Sequence, residues 1–266
     1  MLRLIKPWEK QKLLDFYEKN PEMNVYLEYI TRRFGLMYKG ACHYGHFIRR
    51  KLCTVLISMS DVIMFAVSGG SDPEEIAHFI NFLGRQTELC GPPGFIDALA
   101  PMLHEKYRRV DSILCALKYP EKLIGDDGLC EIYPIDINGA RETYGILDAS
   151  RTEGLYVSSY DIYELLIKNK LGNKHGRVYI AKHNGAAVST AATNAETDTH
   201  ALIGAVATHP SMRGMGFASR VVSRLCLDLL AEGKLPLLTH LSGEAGNMYE
   251  RIGFIPVTGY SYLKDG

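Results

Sequence analysis

Val206-Ala-Thr-His-Pro-Ser-Met-Arg-Gly-Met-Gly-Phe-Ala218 joins an apolar run to an amphipathic one through a turn that holds Gly214 and Gly216. Ahead of it, Ala201-Leu-Ile-Gly-Ala-Val-Ala207 is short enough to be a strand. Behind it, Ala218, Val222, Leu225 and Leu229 recur at helical spacing, with Ser219, Arg220, Ser223, Arg224 and Asp228 between them. A glycine turn that opens a helix presents unpaired backbone N–H groups, with the positive end of the helix dipole behind them. That is an anion site, suited to a phosphate or pyrophosphate. Glycines matter there because a Cβ would hold the ligand away, and Arg213 adds a positive charge. A Gly-x-Gly turn also serves where a helix simply packs tightly on a strand, so the turn alone leaves both readings open.

The exact string narrows them. Arg213-Gly-Met-Gly-Phe-Ala218 fits the (Arg/Gln)-x-x-Gly-x-(Gly/Ala) loop of the GNAT acetyltransferase superfamily, and the strand ending in Val206-Ala-Thr208 stands where that family's strand does. Further on, Ala245-Gly-Asn-Met-Tyr-Glu-Arg-Ile-Gly-Phe254 resembles the family's second signature. The two segments occur in the family's order, and the resemblance runs over roughly residues 129–262.

The resemblance implies an N-acyltransferase that moves an acetyl group from acetyl-CoA to a primary amine of a small molecule or amino acid, by direct attack in a ternary complex and without a metal. The backbone of Val206, Ala207 and Thr208 would pair with the pantetheine arm, and the amides of Arg213, Gly214, Met215, Gly216, Phe217, Ala218 and Ser219 would take the pyrophosphate. Tyr249 matches the tyrosine that faces the departing sulfur. The family often has Asn seven residues earlier, where this chain has Ser242; Asn247 is the substitute expected here. For a general base the candidates are Glu196 and His200 beside the central strand, His209 at its end, and Glu244. Arg151, Tyr156, Tyr160 and Tyr163 are candidates to line the acceptor pocket. A protein or peptide N-acetyltransferase and a non-catalytic acyl-CoA sensor are the alternative functions. A Rossmann-type nucleotide site is disfavoured, because it would want its glycines after the first strand.

Composition sets bounds. With 266 residues, 47% apolar and 23% charged, the chain reads as a globular protein of about two domains. Thirty basic residues balance thirty acidic ones, so no global field recommends nucleic acid. No apolar run approaches a bilayer span, and the first residues lack the apolar core of a signal peptide, so no membrane partner and a cytoplasmic location are the expectations. Nothing decides self-association; a homo-oligomer is compatible with all of this. The six cysteines are scattered, which suits reduced and mostly buried thiols. Cys42-His43-Tyr-Gly-His46 has a faint metal-site spacing but no second cluster to complete it.

The fold class expected is α/β (α+β): two GNAT-like domains, each a mixed, mostly antiparallel sheet flanked by helices. The second half reads as a strand at 129–134, helices at 138–147 and 161–170, and a meander at 177–182, 186–192 and up to Thr208. The long helix follows, then a strand at 236–241, a helix at 244–252 and a strand at 254–263. The first half repeats the later part of that order. Helices at 7–19 and 24–34 precede strands at 46–51, 54–59 and 62–67, followed by a helix at 73–83, a strand at 87–90, a helix at 95–106 and a strand at 112–117. Its loop, however, is Ser68-Gly-Gly-Ser-Asp-Pro-Glu-Glu75, whose carboxylates suit a helix N-terminus and would repel a pyrophosphate. Domains at 1–123, degenerate, and 124–266, carrying the acetyl-CoA motif, are expected, with a linker near Tyr119–Gly128.

Overall fold

The structure, a computed structural model, describes residues 1–151, 158–241 and 243–265. It divides into two compact units. One comprises Met1–Leu114 together with the chain from Thr258 onward, and the other is Cys115–Val257.

Unit 1 contains β1 (Leu2–Leu4), α1 (Lys10–Tyr17), α2 (Pro21–Phe34), β2 (Ala41–Ile48), β3 (Lys51–Met59), β4 (Val62–Val67), α3 (Pro73–Leu83), β5 (Glu88–Gly91), α4 (Pro93–Leu99) and most of β6 (Tyr107–Leu117). The strands β1 to β4 pair antiparallel in sequence order, and β4 pairs parallel with β5. Strand alternation buries both faces. Val55, Ile57, Met64 and Ala66 meet α1 and α2, while Leu56, Ile63 and Phe65 meet α3 and α4.

Unit 2 holds β7 (Glu131–Pro134), α5 (Ala140–Ala149), α6 (Tyr160–Gly172), β8 (Val178–His183), β9 (Ala186–Glu196), β10 (His200–Thr208), α7 (Phe217–Ala231), β11 (Leu235–His240) and α8 (Glu244–Arg251). Here too the first four strands pair antiparallel and the fourth, β10, pairs parallel with the fifth. Val178, Ile180 and Ala192 pack beneath α5 and α6. On the other face α7 buries Phe217, Val221, Val222, Leu225, Cys226 and Leu229. The helices also fall between the same strands in both units, so the repeat extends to the first strand and helix pair.

The last strand, β12 (Phe254–Asp265), starts in unit 2 and ends in unit 1. Its residues Ser261–Lys264 pair antiparallel with Gly91–Glu88 of β5. The division therefore differs from the expected 1–123 and 124–266. Hydrogen bonding, rather than chain position, assigns the final residues, because β5 has its second partner there.

Local differences have local causes. The expected strand at 46–51 is interrupted by a tight turn at Arg49 and Arg50, both left-handed (φ 47° and 66°), so β2 ends and β3 begins there. The helix expected to reach 106 stops being α-helical at Leu99, next to Pro101, and β6 starts at Tyr107. His43 and His46 of β2 lie under different helices. His43 Nε2 is 3.1 Å from Thr31 Oγ1 of α2, and His46 Nε2 is 3.0 Å from Glu75 Oε2 of α3, so they do not converge on one ion. Burial holds His43 down at about 4. Among the described residues no group of three or more His, Cys, Asp or Glu is placed to hold a metal, and no helix is long and apolar enough to cross a membrane.

Candidate functional site

Because β10 and β11 run parallel, the segments that follow them issue from the same edge of the unit 2 sheet. That edge is where parallel strands usually place a ligand. The ladder between them is short: it runs from His200↔Leu235 to Ile203↔Leu238 and stops. Beyond Ile203, β10 continues to Thr208 paired only with β9, and the register shifts between Gly204 and Ala207. Ala205 sits there at φ +50°, an uncommon conformation for a residue with a Cβ and the mark of a bulge. Gly204 is glycine for a packing reason, since an added Cβ would collide with the Asn194 amide. From Gly204 onward no described strand pairs with this edge of β10, which leaves a template for an extended ligand to pair with.

Val206, Ala207 and Thr208 lie on this edge. From the β9 side Ser189 Oγ donates to Ala207 O at 2.9 Å, and Thr208 O accepts from Ser150 Oγ at 2.9 Å and from Arg213 Nε at 3.4 Å. The chain then makes a 3-10 turn at Pro210–Met212 and reaches Gly214 (φ +80°) and Gly216 (φ +79°). Both are left-handed, which side chains with a Cβ resist. Nothing lies within 4 Å of a Cβ built on Gly214, whereas one on Gly216 would meet the Arg220 guanidinium at 2.6 Å. Arg220 is fixed in turn by Asp127 and by donating to Gly216 O at 3.2 Å. Gly216 caps α7 without a side chain, so the amides of Phe217, Ala218 and Ser219 have no helical partner. The Phe217 side chain is in the core, Met215 is exposed, and Arg213 is exposed with no described carboxylate paired to it. Free amides, two left-handed glycines and an open strand edge fit a pyrophosphate carried on an extended arm.

In unit 1 the equivalent helix start is filled. The Asp72 carboxylate accepts from the amides of Glu74 and Glu75 at the start of α3. The β4–β5 ladder also stops early, at Met64↔Cys90, with Gly91 still close enough that its Cβ would lie 3.2 Å from Phe65 O.

Tyr249 of α8 is buried, its ring 5.7 Å from His240 and 6.0 Å from Phe254. Burial, then the neighbouring Cys115 and Cys226 thiols, pushes its phenol up to about 12. Gly253 of the same motif is structural: Tyr119 O occupies the place of its Cβ, and Gly253 O accepts from the amides of Lys118 and Tyr119. Asn247 is exposed on α8.

The structure does not bring Glu196 or His200 to this edge. Both lie where β9 and β10 turn, about 25 Å from Thr208 at ~3.3 Å per residue. Glu196 is held by Arg177 at 2.8 Å, Lys234 at 2.7 Å and Thr193 Oγ1 at 2.8 Å. Burial works to raise its carboxyl, and these bonds outweigh that and hold it low. These bonds make it an anchor of charge at the far end of the strand. His209 sits at the correct end, exposed, with Nδ1 2.8 Å from Ser211 Oγ. Tyr160 and Tyr163 mainly join α6 to α5: Tyr163 shares a 2.8 Å hydrogen bond with Thr143, and Tyr160 packs on Tyr144. Arg151 pairs with Asp148. Tyr156, Ser242 and the Glu244 side chain lie outside the described residues. Sequence reading passed over His240, because only the tertiary fold sets it beside Tyr249.

Comparison with known proteins agrees with this geometry. Residues 174–256 match the model of the acetyltransferase (GNAT) domain. This segment is similar to a GNAT domain. No curated protein sequence matches the chain. A GCN5-related N-acetyltransferase from Sphaerobacter thermophilus has a TM-score of 0.71 at 13% identity, covering 100% of this chain and 95% of its own. An acetyltransferase of the GNAT family from Colwellia psychrerythraea gives 0.64 at 13%, covering 100% of both. A tandem GNAT protein from the clavulanic acid biosynthesis pathway gives 0.62 at 12%, covering 100% of this chain and 99% of its own. At these identities the likeness is one of fold, and it extends over the whole chain. The GNAT fold is one that supports acyl transfer.

Proposed function

We propose that unit 2 binds acetyl-CoA and transfers its acetyl group to a primary amine of a small molecule or amino acid. The observation that carries this reading is the open edge of β10 beyond Ile203, leading without interruption into the Gly214–Gly216 turn and the free amides of α7. The edge would pair with the amides of the pantetheine arm, and the turn would take the pyrophosphate. The bound cofactor supplies an activated acyl thioester; the protein's part is to align it with the amine.

Tyr249 would stabilise the sulfur as it gains charge. With its phenol raised to about 12, outright proton transfer to a thiolate of ordinary basicity is uphill by about 5 kcal/mol. A hydrogen bond to the developing thiolate is the role it can fill. The cytoplasm, as a reducing compartment, suits the free cysteines of the described residues.

The test is thioester consumption with acetyl-CoA against a panel of amino acids, polyamines, aminoglycosides and peptides, with calorimetry for coenzyme A beside it. Turnover with small amines supports the reading, and turnover restricted to peptides moves the acceptor to a protein. Binding without turnover of any amine makes the protein an acyl-CoA sensor.

A further inference from the structure

We propose that His240 is the general base of this site and takes the proton from the attacking amine through Nε2. The inference rests on the reading of unit 2 as an acyltransferase. His240 is the last residue of β11, two positions past the final rung Ile203↔Leu238, so it comes level with Ala205, the left-handed residue of β10. It is half-buried, at the point where the two strands part.

Its tautomer is set by a neighbour. Nδ1 lies 2.5 Å from Leu241 O. A carbonyl only accepts, so Nδ1 carries the hydrogen and Nε2 keeps its lone pair. No described residue hydrogen-bonds Nε2. A base needs this arrangement: one ring nitrogen fixed by the backbone, the other open.

The ring also has a built seat. A Cβ at Gly246 would lie 2.6 Å from His240 Cε1 and 3.4 Å from Nε2. A glycine within a helix costs roughly 1 kcal/mol relative to alanine, and in α8 that cost leaves room for the imidazole. On its other side the ring tilts at 41° against Tyr249. The titratable groups it faces are the Tyr249 phenol, with the Cys115 and Cys226 thiols behind; burial pushes all three up. None of these is charged at neutral pH, so among the described residues the ring faces uncharged groups.

The division of labour is then complete on one sheet edge. The amine nitrogen bonds to the carbonyl carbon as the C–S bond breaks, with the electron pair leaving on sulfur. The proton shed by nitrogen goes to His240 Nε2 and from there to solvent. Tyr249 donates a hydrogen bond to the sulfur, and the thiolate takes its proton from water.

Two measurements decide it. In the parent protein, ¹⁵N-correlated NMR of the imidazole, assigned by its loss in His240→Gln, should report Nδ1–H and an unprotonated Nε2. An Nε2–H tautomer overturns the proposal whatever the turnover. In kinetics, His240→Gln should lower kcat by about 10²-fold and abolish the acidic limb of the kcat/KM profile, with Kd for coenzyme A unchanged. Gly246→Ala, which displaces the ring but keeps the imidazole, should lower kcat about tenfold while coenzyme A still binds. A parent that acylates amines and a His240→Gln variant with the same rate and pH profile overturn the base alone. A parent that binds coenzyme A and acylates nothing overturns the acyltransferase reading and the base with it.

Discussion

Two side chains in unit 2 that sequence reading grouped as catalytic have opposite fates, and substitution separates them. Tyr249→Phe keeps the buried ring and its contacts with His240 and Phe254. On the proposed role it would remove only a hydrogen bond made as sulfur gains charge, so kcat should fall by about 10- to 1,000-fold. Calorimetry should find coenzyme A affinity almost unaltered; a variant at the parent rate would leave the tyrosine with packing alone. Glu196→Gln should do the reverse. It leaves Arg177 and Lys234 with Glu232 as their remaining carboxylate and should cost about 1–3 kcal/mol in urea unfolding, with kcat within twofold of the parent. A fall in kcat at unchanged stability would return Glu196 to the chemistry. The pH dependence has a definite sign. Arg177, opposed by burial and aided by Lys234, holds Glu232 at about 2, below the ordinary 4.5, and Glu196 is held low as well. Depressed carboxyls stabilise the fold above pH 4.5, and that contribution is lost as pH falls toward 2. Glu196→Gln should therefore flatten the acid limb of a stability–pH curve.

Among the elements, the β10–α7 junction makes the sharpest prediction. Gly216→Glu strains a left-handed position, sets a Cβ against Arg220, and puts a carboxylate among the amides proposed to take phosphate. A negative charge there suits the helix itself, so the variant should remain folded while coenzyme A binding is lost, a reduction of at least 100-fold by calorimetry. Unchanged affinity would dismiss the turn as the phosphate site. Titration of the parent protein should give one coenzyme A per chain, because Asp72 already caps α3. A second equivalent would contradict that. This junction was readable in the sequence because backbone demands leave their mark on residue type: Gly214 and Gly216 are left-handed, and the helical spacing after them is strict. The strands of the meanders were readable for a similar reason, through alternation and apolar runs. Other features depend on partners far away in sequence. The open edge of β10 exists because β11 diverges, His240 matters through Tyr249, and Glu196 looked available until Arg177 and Lys234 closed on it. Leu2–Leu4 is too short to show a period, and Arg49-Arg50 carries none of the usual turn chemistry.

For the molecule as a whole, the chain's return to its first unit can be tested by truncation. Removing the residues from Thr258 onward takes Ser261–Lys264 away from β5, Tyr260 and Tyr262 from one core of unit 1, and Leu263 from the other. Proteolysis should then begin within residues 1–114, although the deleted segment lies at the opposite end of the chain. Cleavage confined to 115–257 would reverse that expectation. The same arrangement sets a timetable for synthesis. The first 114 residues leave the ribosome with the β5 edge bare, and its partner is made about 150 residues later. At roughly 5–20 residues per second, the nascent chain carries an unsatisfied strand edge for about 10–30 seconds. In that interval a second nascent chain on the same message can offer its own β5 in place of the missing strand. The yield of folded protein when translation is sped up or slowed should follow from when β12 is made.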